Sequence, residues 1–492
     1  MKNSKIVALV ATAALLVIGA AFTSMAATYN WYQVDGIWHC KDKNGDDITQ
    51  DWAKSGSDLY WLDENGEMAT DLLVDDGENF YYVNSDGKAV KNDWVKVENT
   101  DDDGDEYYWY YFQASGKALK AKANNKPITV NGKKYLFDQD GKMLYGWISG
   151  GEMVDDSDDK AWQATDAYYA GGQDDGAVRT GVWEKIDVID EEADFVDQQY
   201  WFYFQPSGLK FAADADKLAE KTINGKRYAF DEYGVMKAEW EATASPSAGT
   251  ASISSYYWFQ DAETGAKLKK GWFRVIPQAS VNETDNDEET VHWYYAKGDG
   301  TLYKQAVKTI NGKKYAFNDK GEMMAGLVYM IIGDGGVTSC VAPIDDETKV
   351  GNVTKIGGGY DYGSLYFFGD EETDGSMKYG TIKTEVDGDE YTFTFKTTGS
   401  DKGSAIKGFK NNAYYVNGAK VKADADYKYQ SFAGSYDSAN KEVNLTSSVA
   451  DTAITDGHVL ISSPGAIVKK GTKKDADGTK IYVNDYTIVS HE

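Results

Sequence analysis

Aromatic and polar positions recur in a fixed block along most of the chain. In one copy, residues 309–323 read TINGKKYAFNDKGEM: an apolar pair, an Asn-Gly turn, an aromatic segment, a polar turn with Gly, and a Met. Asn-Gly and Asp-Gly dipeptides favour the positive φ angles of tight hairpin turns, and aromatic residues favour strands. The block therefore predicts a β-hairpin that ends in a second turn.

The block repeats at intervals of 93 and 87 positions. Closely related strings occur at residues 129–137 and 222–230. Tryptophans keep step with them, because Trp94, Trp183 and Trp272 are spaced by 89 positions each. Two independent markers that share one period indicate tandem repeats, so fold and function should both be interpreted per repeat.

The pattern divides the chain into segments. Residues 27–93 carry shorter aromatic units between Gly-containing turns, which predicts short N-terminal hairpins. Residues 94–381 hold three long periods, each with room for three hairpins and with an acidic insertion before its first aromatic segment. Residues 382–422 form a partial, degenerate repeat. Residues 423–492 lose the pattern and are a C-terminal tail or cap of unknown role.

The first 26 residues have the features of a secretory signal. Lys2 and Lys5 precede an apolar run over residues 6–21, and Ser24 and Ala26 provide small residues before a cleavage point. The apolar run is short for a membrane span. The sequence therefore predicts a secreted protein with residues 1–26 removed and no membrane span.

Charge narrows the possible partners. The net charge is −28, from 79 acidic and 51 basic residues. Nucleic acids and anionic membrane surfaces require Lys and Arg opposite their phosphates, so neither is expected as a partner. A cationic ligand agrees with this balance.

Few residues suit catalysis or metal binding. Cys40 and Cys340 are the only cysteines, lie in different repeats, and are expected to be free thiols. The four histidines are scattered, and no Ser-His-Asp or Cys-His arrangement is evident. Acidic stretches such as residues 101–106 lack the spacing of a calcium loop. No catalytic residue, metal ligand or cofactor is therefore expected, and the chain is predicted not to be an enzyme.

The repeats resemble a known family at these residues. A Trp, a Trp-Tyr-Tyr segment as at residues 293–295, a polar turn with Gly, and a Met resemble the choline-binding, or cell-wall-binding, repeat of Gram-positive surface proteins. The residues 309–323 block is also similar to repeats of glucan-binding proteins and large clostridial toxins. The resemblance covers roughly residues 29–420. It implies an all-β fold, a β-solenoid of stacked β-hairpin repeats with about three hairpins per turn.

The resemblance also implies where a ligand would bind. In the family, choline lies between successive hairpins in a cage of aromatic side chains. Aromatic faces suit a quaternary ammonium, which cannot donate hydrogen bonds. The matching residues form three groups, with Trp52 and Trp61 as a less complete pair. In the compact units, Lys134, Tyr228 next to Arg227, and Lys314 stand where a cage would have Trp, so those interfaces are expected to be incomplete. The three groups are Trp94, Trp109 and Tyr111; Trp183, Trp201 and Tyr203; and Trp272, Trp293 and Tyr295.

Three functions remain open at this stage. The leading hypothesis is a secreted, non-catalytic protein of the Gram-positive cell surface that binds choline on cell-wall teichoic acids. The first alternative is an α-glucan or other carbohydrate-binding protein that uses the same rings as stacking platforms. The second is an adhesin or scaffold that displays its acidic loops to a host or surface protein. The structure can distinguish these hypotheses. Intact cages with two tryptophans would favour choline binding, and open, exposed ring pairs would favour glucan binding. Tryptophans that are nearly all buried would favour the scaffold.

Overall fold

The fold is nearly all β and is built from small antiparallel hairpins. A computed structural model describes residues 29–100, 104–121, 124, 126–154, 160–190, 197–242, 252–332 and 338–492. The predicted secretory segment, residues 1–26, and parts of two acidic insertions, 101–103 and 191–196, lie outside the described residues. The prediction of an all-β fold of antiparallel hairpins is confirmed.

The strands before the first long period form three hairpins. Each is a two-stranded sheet whose strands are four or five residues long. They are β1 (Asn30–Val34) with β2 (Ile37–Lys41), β3 (Asp51–Ser55) with β4 (Asp58–Leu62), and β5 (Leu72–Asp75) with β6 (Phe80–Val83).

Each long period contains three hairpin modules. The first comprises β7 (Asp93–Glu98), β8 (Tyr107–Phe112), β9 (Ile128–Val130), β10 (Lys133–Tyr135), β11 (Trp147–Ser149), β12 (Glu152–Met153), α1 (Lys160–Gln163) and β13 (Tyr168–Tyr169). The second comprises β14 (Val182–Ile189), β15 (Asp197–Phe204), β16 (Ala219–Ile223), β17 (Lys226–Phe230), β18 (Glu239–Ala242), a 3-10 turn (Ile253–Ser255) and β19 (Tyr256–Phe259). The third comprises β20 (Gly271–Val275), α2 (Glu283–Asp287), β21 (His292–Ala296), β22 (Ala306–Ile310), β23 (Lys313–Phe317), β24 (Gly326–Ile332), β25 (Thr338–Pro343), α3 (Glu347–Val353) and β26 (Ser364–Phe368).

Two larger antiparallel sheets follow. One has the strand order β27-β28-β31-β30-β29 and the other β33-β32-β34-β37-β36-β35. Their strands are β27 (Gly380–Val386), β28 (Asp389–Phe395), β29 (Gly408–Lys410), β30 (Ala413–Val416), β31 (Ala419–Lys420), β32 (Tyr429–Asp437), β33 (Glu442–Ala450), β34 (Val459–Ser462), β35 (Gly471–Lys474), β36 (Lys480–Asn484) and β37 (Thr487–His491).

A hydrogen-bonded turn ends each repeat hairpin. After β4, the Asp63 side chain accepts the backbone N–H groups of Asn65 and Glu67, both at 2.8 Å. Gly66 takes the positive φ of 73° that this turn requires. Such side-chain to backbone bonds favour turns over continued strand. The same arrangement recurs at five further turns, those of Asp42, Asn84, Asp138, Asp231 and Asn318.

The residue after each turn bonds to the preceding hairpin. Met68 donates its backbone N–H to the carbonyl of Trp38 at 2.8 Å, and Met143 does the same to Trp109. These bonds fix the order in which the hairpins stack. Equivalent pairs are Ala89 with Leu59, Ala118 with Phe80, Val178 with Lys134, Lys210 with Ala167, Met236 with Trp201, Lys267 with Arg227, Met323 with Trp293, Met377 with Lys314, and Ala405 with Leu365.

The core is a series of buried side chains, one from the end of each hairpin. Phe112, Phe204, Phe230 and Phe317 are fully buried. A single hairpin cannot bury such a ring alone, so stacking supplies the cover. Each ring buries roughly 150–250 Å², worth several kcal/mol at about 25 cal/mol per Å².

The chain divides into two compact units. One comprises Met1–Ile223 and Tyr228–Lys237, and the other Asn224–Arg227 and Ala238–Glu492. Both cysteines are free thiols, as predicted. Among the described residues, no helix is long and apolar enough to span a bilayer.

Candidate aromatic cages

The third period shows the cage geometry most completely. Trp272 lies on β20 opposite Tyr295 on β21, with ring centroids 5.1 Å apart. Trp293, two positions earlier on β21, stands edge-on to Trp272 at 6.3 Å. Tyr315 on the next hairpin lies 4.8 Å from Trp272. The structure therefore brings the three predicted residues together and adds a wall from the next hairpin.

The second period repeats this geometry. Trp183 lies 5.4 Å from Tyr203 and 6.4 Å from Trp201. Tyr228 of the next hairpin lies 4.8 Å from Trp183, and Met236 packs against the same rings. All three tryptophan and tyrosine side chains that the sequence predicted here are half-buried.

The first period has the same cluster with an added carboxylate. Trp94 lies 5.2 Å from Tyr111 and 4.8 Å from Tyr135, and Trp109 packs in the same cluster. The indole N–H of Trp109 donates to the carboxylate of Asp174 at 3.1 Å. This bond and a second from a tyrosine hydroxyl hold the pKa of Asp174 below its usual range, so the carboxylate stays charged beside the rings.

The acidic insertions do not separate the two tryptophans of a cage. They lie between the strands of each hairpin, beyond the last paired residues, and leave the strand register intact. The Trp–Trp distance is 6.4 Å in the second period and 6.3 Å in the third. Trp31 and Trp38 of the short N-terminal hairpin also lie 6.4 Å apart. Insertion length therefore does not alter the cage.

A fourth cage, which the sequence analysis missed, lies at the N-terminal hairpin. Trp31 stands edge-on to Trp38 and lies 5.2 Å from Tyr60 of the next hairpin. These rings and Met68 line a cavity of about 300 Å³, with Asp86 at its border. Trp38 is 42% exposed, so the cage is open to solvent. The signal available in the sequence was the Trp31–Trp38 pair, which repeats the two-Trp pattern at shorter spacing.

The Trp52 and Trp61 pair is not a cage of this kind. The two residues are direct cross-strand partners with centroids 5.2 Å apart, and Trp52 lies 4.7 Å from Tyr81. Leu59 occupies the position of the second cage tryptophan, and Ala89 that of the methionine. We call the contact between one hairpin and the next a junction. This junction therefore lacks two of the four side chains that form a cage, the second tryptophan and the methionine.

Some junctions contain a lysine where a cage has methionine. Lys210 is 3% exposed, and its ammonium lies 5.4 Å from the Trp147 ring centroid and 5.6 Å from that of Phe202. It also donates to the carbonyl of Trp162. Burial lowers the pKa of Lys210 to about 7, against a smaller opposing effect of Asp231. The chain itself thus places a cation within these rings.

A polar cluster beside the third-period cage could also hold a cation. Ligand atoms of Asp285, His292 and Glu322 lie within 4.8 Å of one another. Asn282 donates to Asp285 at 2.5 Å and to Glu322 at 2.7 Å, and Asn318 donates to Glu322 at 2.7 Å. His292 and Asp285 are bonded at 2.8 Å. These bonds already satisfy the polar atoms, so the cluster acts to fix α2 against β21.

These features define a class of protein: stacked antiparallel hairpins with aromatic rings grouped where one hairpin meets the next. Residues 48–89 match the family model of the choline-binding repeat, which confirms the resemblance for that part of the chain. No curated protein matches the chain by sequence at a significant level.

Several solved structures from Streptococcus pneumoniae are similar at low identity. The modular autolysin LytC is 18% identical over 61% of this chain, with a TM-score of 0.34; the match spans 54% of the autolysin, about half its length. CbpJ is 15% identical over 72% of this chain and 99% of its own, with a TM-score of 0.38. Choline binding protein F is 17% identical over 72% of this chain and 98% of its own, with a TM-score of 0.36.

Proposed function

We propose that this protein binds quaternary ammonium groups, namely choline on teichoic acids of a Gram-positive cell envelope. The observation that carries the proposal is the open N-terminal cage of Trp31, Trp38, Tyr60 and Met68, whose cavity of about 300 Å³ is lined by aromatic faces. Four junctions among the described residues share this composition. The others are Trp94, Trp109, Tyr135 and Met143; Trp183, Trp201, Tyr228 and Met236; and Trp272, Trp293, Tyr315 and Met323.

Electrostatics supports a cationic ligand. Each ring face contributes roughly 0.5–2 kcal/mol to a cation above it. Asp86 borders the N-terminal cage and Asp174 accepts from a cage tryptophan in the first period. A net charge of −28 raises the local concentration of cations around the whole chain. A neutral sugar could donate hydroxyl groups to these carboxylates but would gain no charge–charge attraction from them.

Sequential stacking supports the solenoid. Every bond from a turn to the preceding hairpin joins hairpins that are consecutive in the chain, as in Met68 to Trp38 and Met323 to Trp293. We infer that the repeat hairpins form a β-solenoid with about three hairpins per turn, since each long period has three modules. Such a repeat displays equivalent sites at regular intervals.

The chain is proposed to be a secreted, non-catalytic binding protein. Residues 1–26 carry the features of a secretory signal. Ser431, Asp451 and His458 meet in the C-terminal sheet, but the serine hydroxyl and the imidazole both bond to the Asp451 carboxylate, at 2.7 Å each. A catalytic serine must instead donate to the imidazole, so this group does not form a hydrolase triad.

The test is a calorimetric titration of residues 27–492 with choline. We expect millimolar binding, and the Trp38→Ala variant should lose the N-terminal site while keeping the others. Trp258→Ala is the matched control, because Trp258 stacks on Phe273 outside the four cages. It should bind as the unaltered chain does, with folding of both variants checked by circular dichroism.

A malto-oligosaccharide arm separates the alternatives. Heat with the oligosaccharide and none with choline would move the protein to the glucan-binding class. No heat with either, from a folded sample, would favour the scaffold hypothesis. Choline binding that is unchanged in Trp38→Ala would contradict the role of the open cage.

A further inference from the structure

A second kind of cavity lies in the third period. It has a volume of about 440 Å³ and is lined by three lysines, Lys297, Lys304 and Lys308, with Tyr303, Ser254 and Thr301. We call these residues the lysine groove. The ammonium groups of Lys297 and Lys308 lie 5.8 and 5.7 Å from the centroid of the Tyr303 ring. Two of the three lysines therefore hold their ammonium groups near one tyrosine ring, and the third lines the same groove, in a chain of net charge −28.

In the part of the chain that the structure describes, none of the three lysines forms an ion pair, although the bonds from Thr301 and, to a smaller extent, the charge of Lys297 lower the pKa of the nearby Asp299 carboxyl. Among the described residues, no carboxylate oxygen lies within 4.0 Å of any of their ammonium groups, although ion pairs are frequent elsewhere, as between Lys313 and Asp374. Lys304 donates to the hydroxyl of Ser252 at 2.7 Å. The nearby Asp299 accepts from the N–H and hydroxyl of Thr301, at 2.9 and 2.6 Å.

The other periods provide an internal comparison. Counting from Tyr295, the groove positions are Lys297, Tyr303 and Lys308. Their counterparts, aligned on the compact hairpin, are Gln205, Phe211 and Lys221 in the second period and Gln113, Leu119 and Ile128 in the first. The position of Lys304 is Ala212 in the second period and Lys120 in the first. Two of the three lysines thus have a lysine counterpart in one other period, and the third period alone among the three combines all three with a tyrosine.

The groove and the third-period cage share a wall. Tyr303 stacks on Tyr295 at 5.7 Å with an interplanar angle of 14°, and lies 5.6 Å from Phe317. Trp272 of the cage contacts the same two rings, at 5.1 Å from Tyr295 and 5.8 Å from Phe317. A ligand chain that carries alternating charges could place a cation in the cage and an anion in the groove, on opposite sides of one aromatic layer.

The geometry points to the lysine groove as a binding site for a phosphate group, of the kind carried by a phosphodiester polymer. Ammonium groups that form no ion pair bind phosphate as point charges, and Ser254 lies at the edge of the groove. The site is separate from the cages, so it does not depend on the proposed choline binding.

The test uses residues 27–492 and the probe glycerol 3-phosphate, with glycerol as the uncharged match. The unaltered chain should bind the phosphate saturably and glycerol not at all. Lys297→Gln/Lys308→Gln should weaken phosphate binding by about ten-fold or more, because two of the three charges are lost. Raising the salt concentration should weaken it further, since the groove is partly exposed.

The control is Lys470→Gln/Lys474→Gln, which removes two exposed lysines near the C-terminus and changes net charge equally. It should bind the phosphate within about two-fold of the unaltered chain, since distant exposed charges are screened. No saturable binding by the unaltered chain, or equal weakening in both double variants, would overturn the proposal. Choline titration is a separate readout. If the unaltered chain bound glycerol 3-phosphate but not choline, the cage proposal would fail and the groove proposal would stand.

Discussion

Two consecutive junctions of the first unit share one backbone design and hold different groups between their rings. At one, Met236 donates its N–H to Trp201 at 2.9 Å; at the other, Lys210 donates to Ala167 at the same distance. Both follow a fully buried phenylalanine, Phe230 or Phe204. The methionine junction keeps a pair of tryptophans, whereas the lysine junction has alanine at the second tryptophan position.

The difference shows what decides whether a junction can accept a ligand. At the lysine junction the ammonium of Lys210 lies beside Trp147 and Phe202, so the rings already face a cation that belongs to the chain. At the methionine junction, Met236 takes the position of Lys210, and the nearest ammonium is that of the exposed Lys185, 5.9 Å from the centroid of the Trp201 ring. The two junctions thus differ in the side chain after the turn, which is a buried amine at one and a methionine at the other.

The largest effect is expected from converting a methionine junction into a lysine junction. Met236→Lys should abolish choline binding at the second-period cage, because the new ammonium competes for the same rings. It should also lower the free energy of unfolding by roughly 2–4 kcal/mol, since a charged group replaces a buried apolar one. Titration stoichiometry and urea denaturation measure the two effects.

Met153→Lys is the matched control for that variant. Met153 is 40% exposed and lies outside the cages, so both stoichiometry and stability should stay unchanged. Unaltered choline stoichiometry in folded Met236→Lys would mean that this junction holds no ligand.

Converting the lysine junction into a methionine junction, by Lys210→Met, should remove a pH dependence of the unfolding free energy. Folded Lys210 has a pKa of about 7 against an ordinary 10.5. Between these values the unfolded chain binds the extra proton, so the stability of the unaltered chain rises with pH through this window. The unfolding free energy relative to Lys210→Met should therefore increase by about 2 kcal/mol from pH 7 to about pH 9. A constant difference across this range, by urea denaturation, would show that Lys210 is not held in the rings.

A substitution at Gly234 tests how closely the turn after β17 packs against the segment that carries Lys210 and Phe211. Gly234 has a φ of 81°, and a Cβ there would lie 2.8 Å from the Phe211 carbonyl and 3.0 Å from the Lys210 side chain. Gly225, in the same hairpin with a φ of 79°, has open space around it. Gly234→Ala should therefore destabilise by about 1–2 kcal/mol more than Gly225→Ala. Equal melting temperatures for the two variants would contradict the close stacking.

The smallest effect on stability is expected at the turn of Asp231, which follows β17 and precedes Met236. Asp231 accepts the N–H groups of Tyr233 at 3.0 Å and Val235 at 2.8 Å. Asp231→Asn keeps an accepting oxygen and should cost less than about 0.5 kcal/mol, whereas Asp231→Ala should cost about 1 kcal/mol. Thermal unfolding distinguishes them, and identical losses would show that the turn bonds contribute little.

The hairpins and the two-Trp groups could be predicted from sequence because both repeat with one period. The third wall of each cage was missed, since Tyr135, Tyr228 and Tyr315 come from the next hairpin in compact units that lack tryptophan. The burial of Lys210 was also missed, because lysine in a polar turn is normally solvated.

The last part of the chain shows a different limit. The sequence predicts a tail or cap for residues 423–492, because the aromatic repeat ends there. They form an ordered six-stranded sheet whose core follows period-two alternation, as with the buried Val443 and Leu445 on β33. A repeat-based analysis does not detect a sheet that uses ordinary aliphatic alternation.

The most direct test of the cages is a crystal structure of residues 27–492 soaked in choline. The account predicts density for a trimethylammonium group at the four junctions that combine two tryptophans, a tyrosine and a methionine, beginning with Trp31 and Trp38. It predicts none beside Lys210. Choline at the Lys210 junction, or at none of the four, would contradict the claim that these cages bind cations.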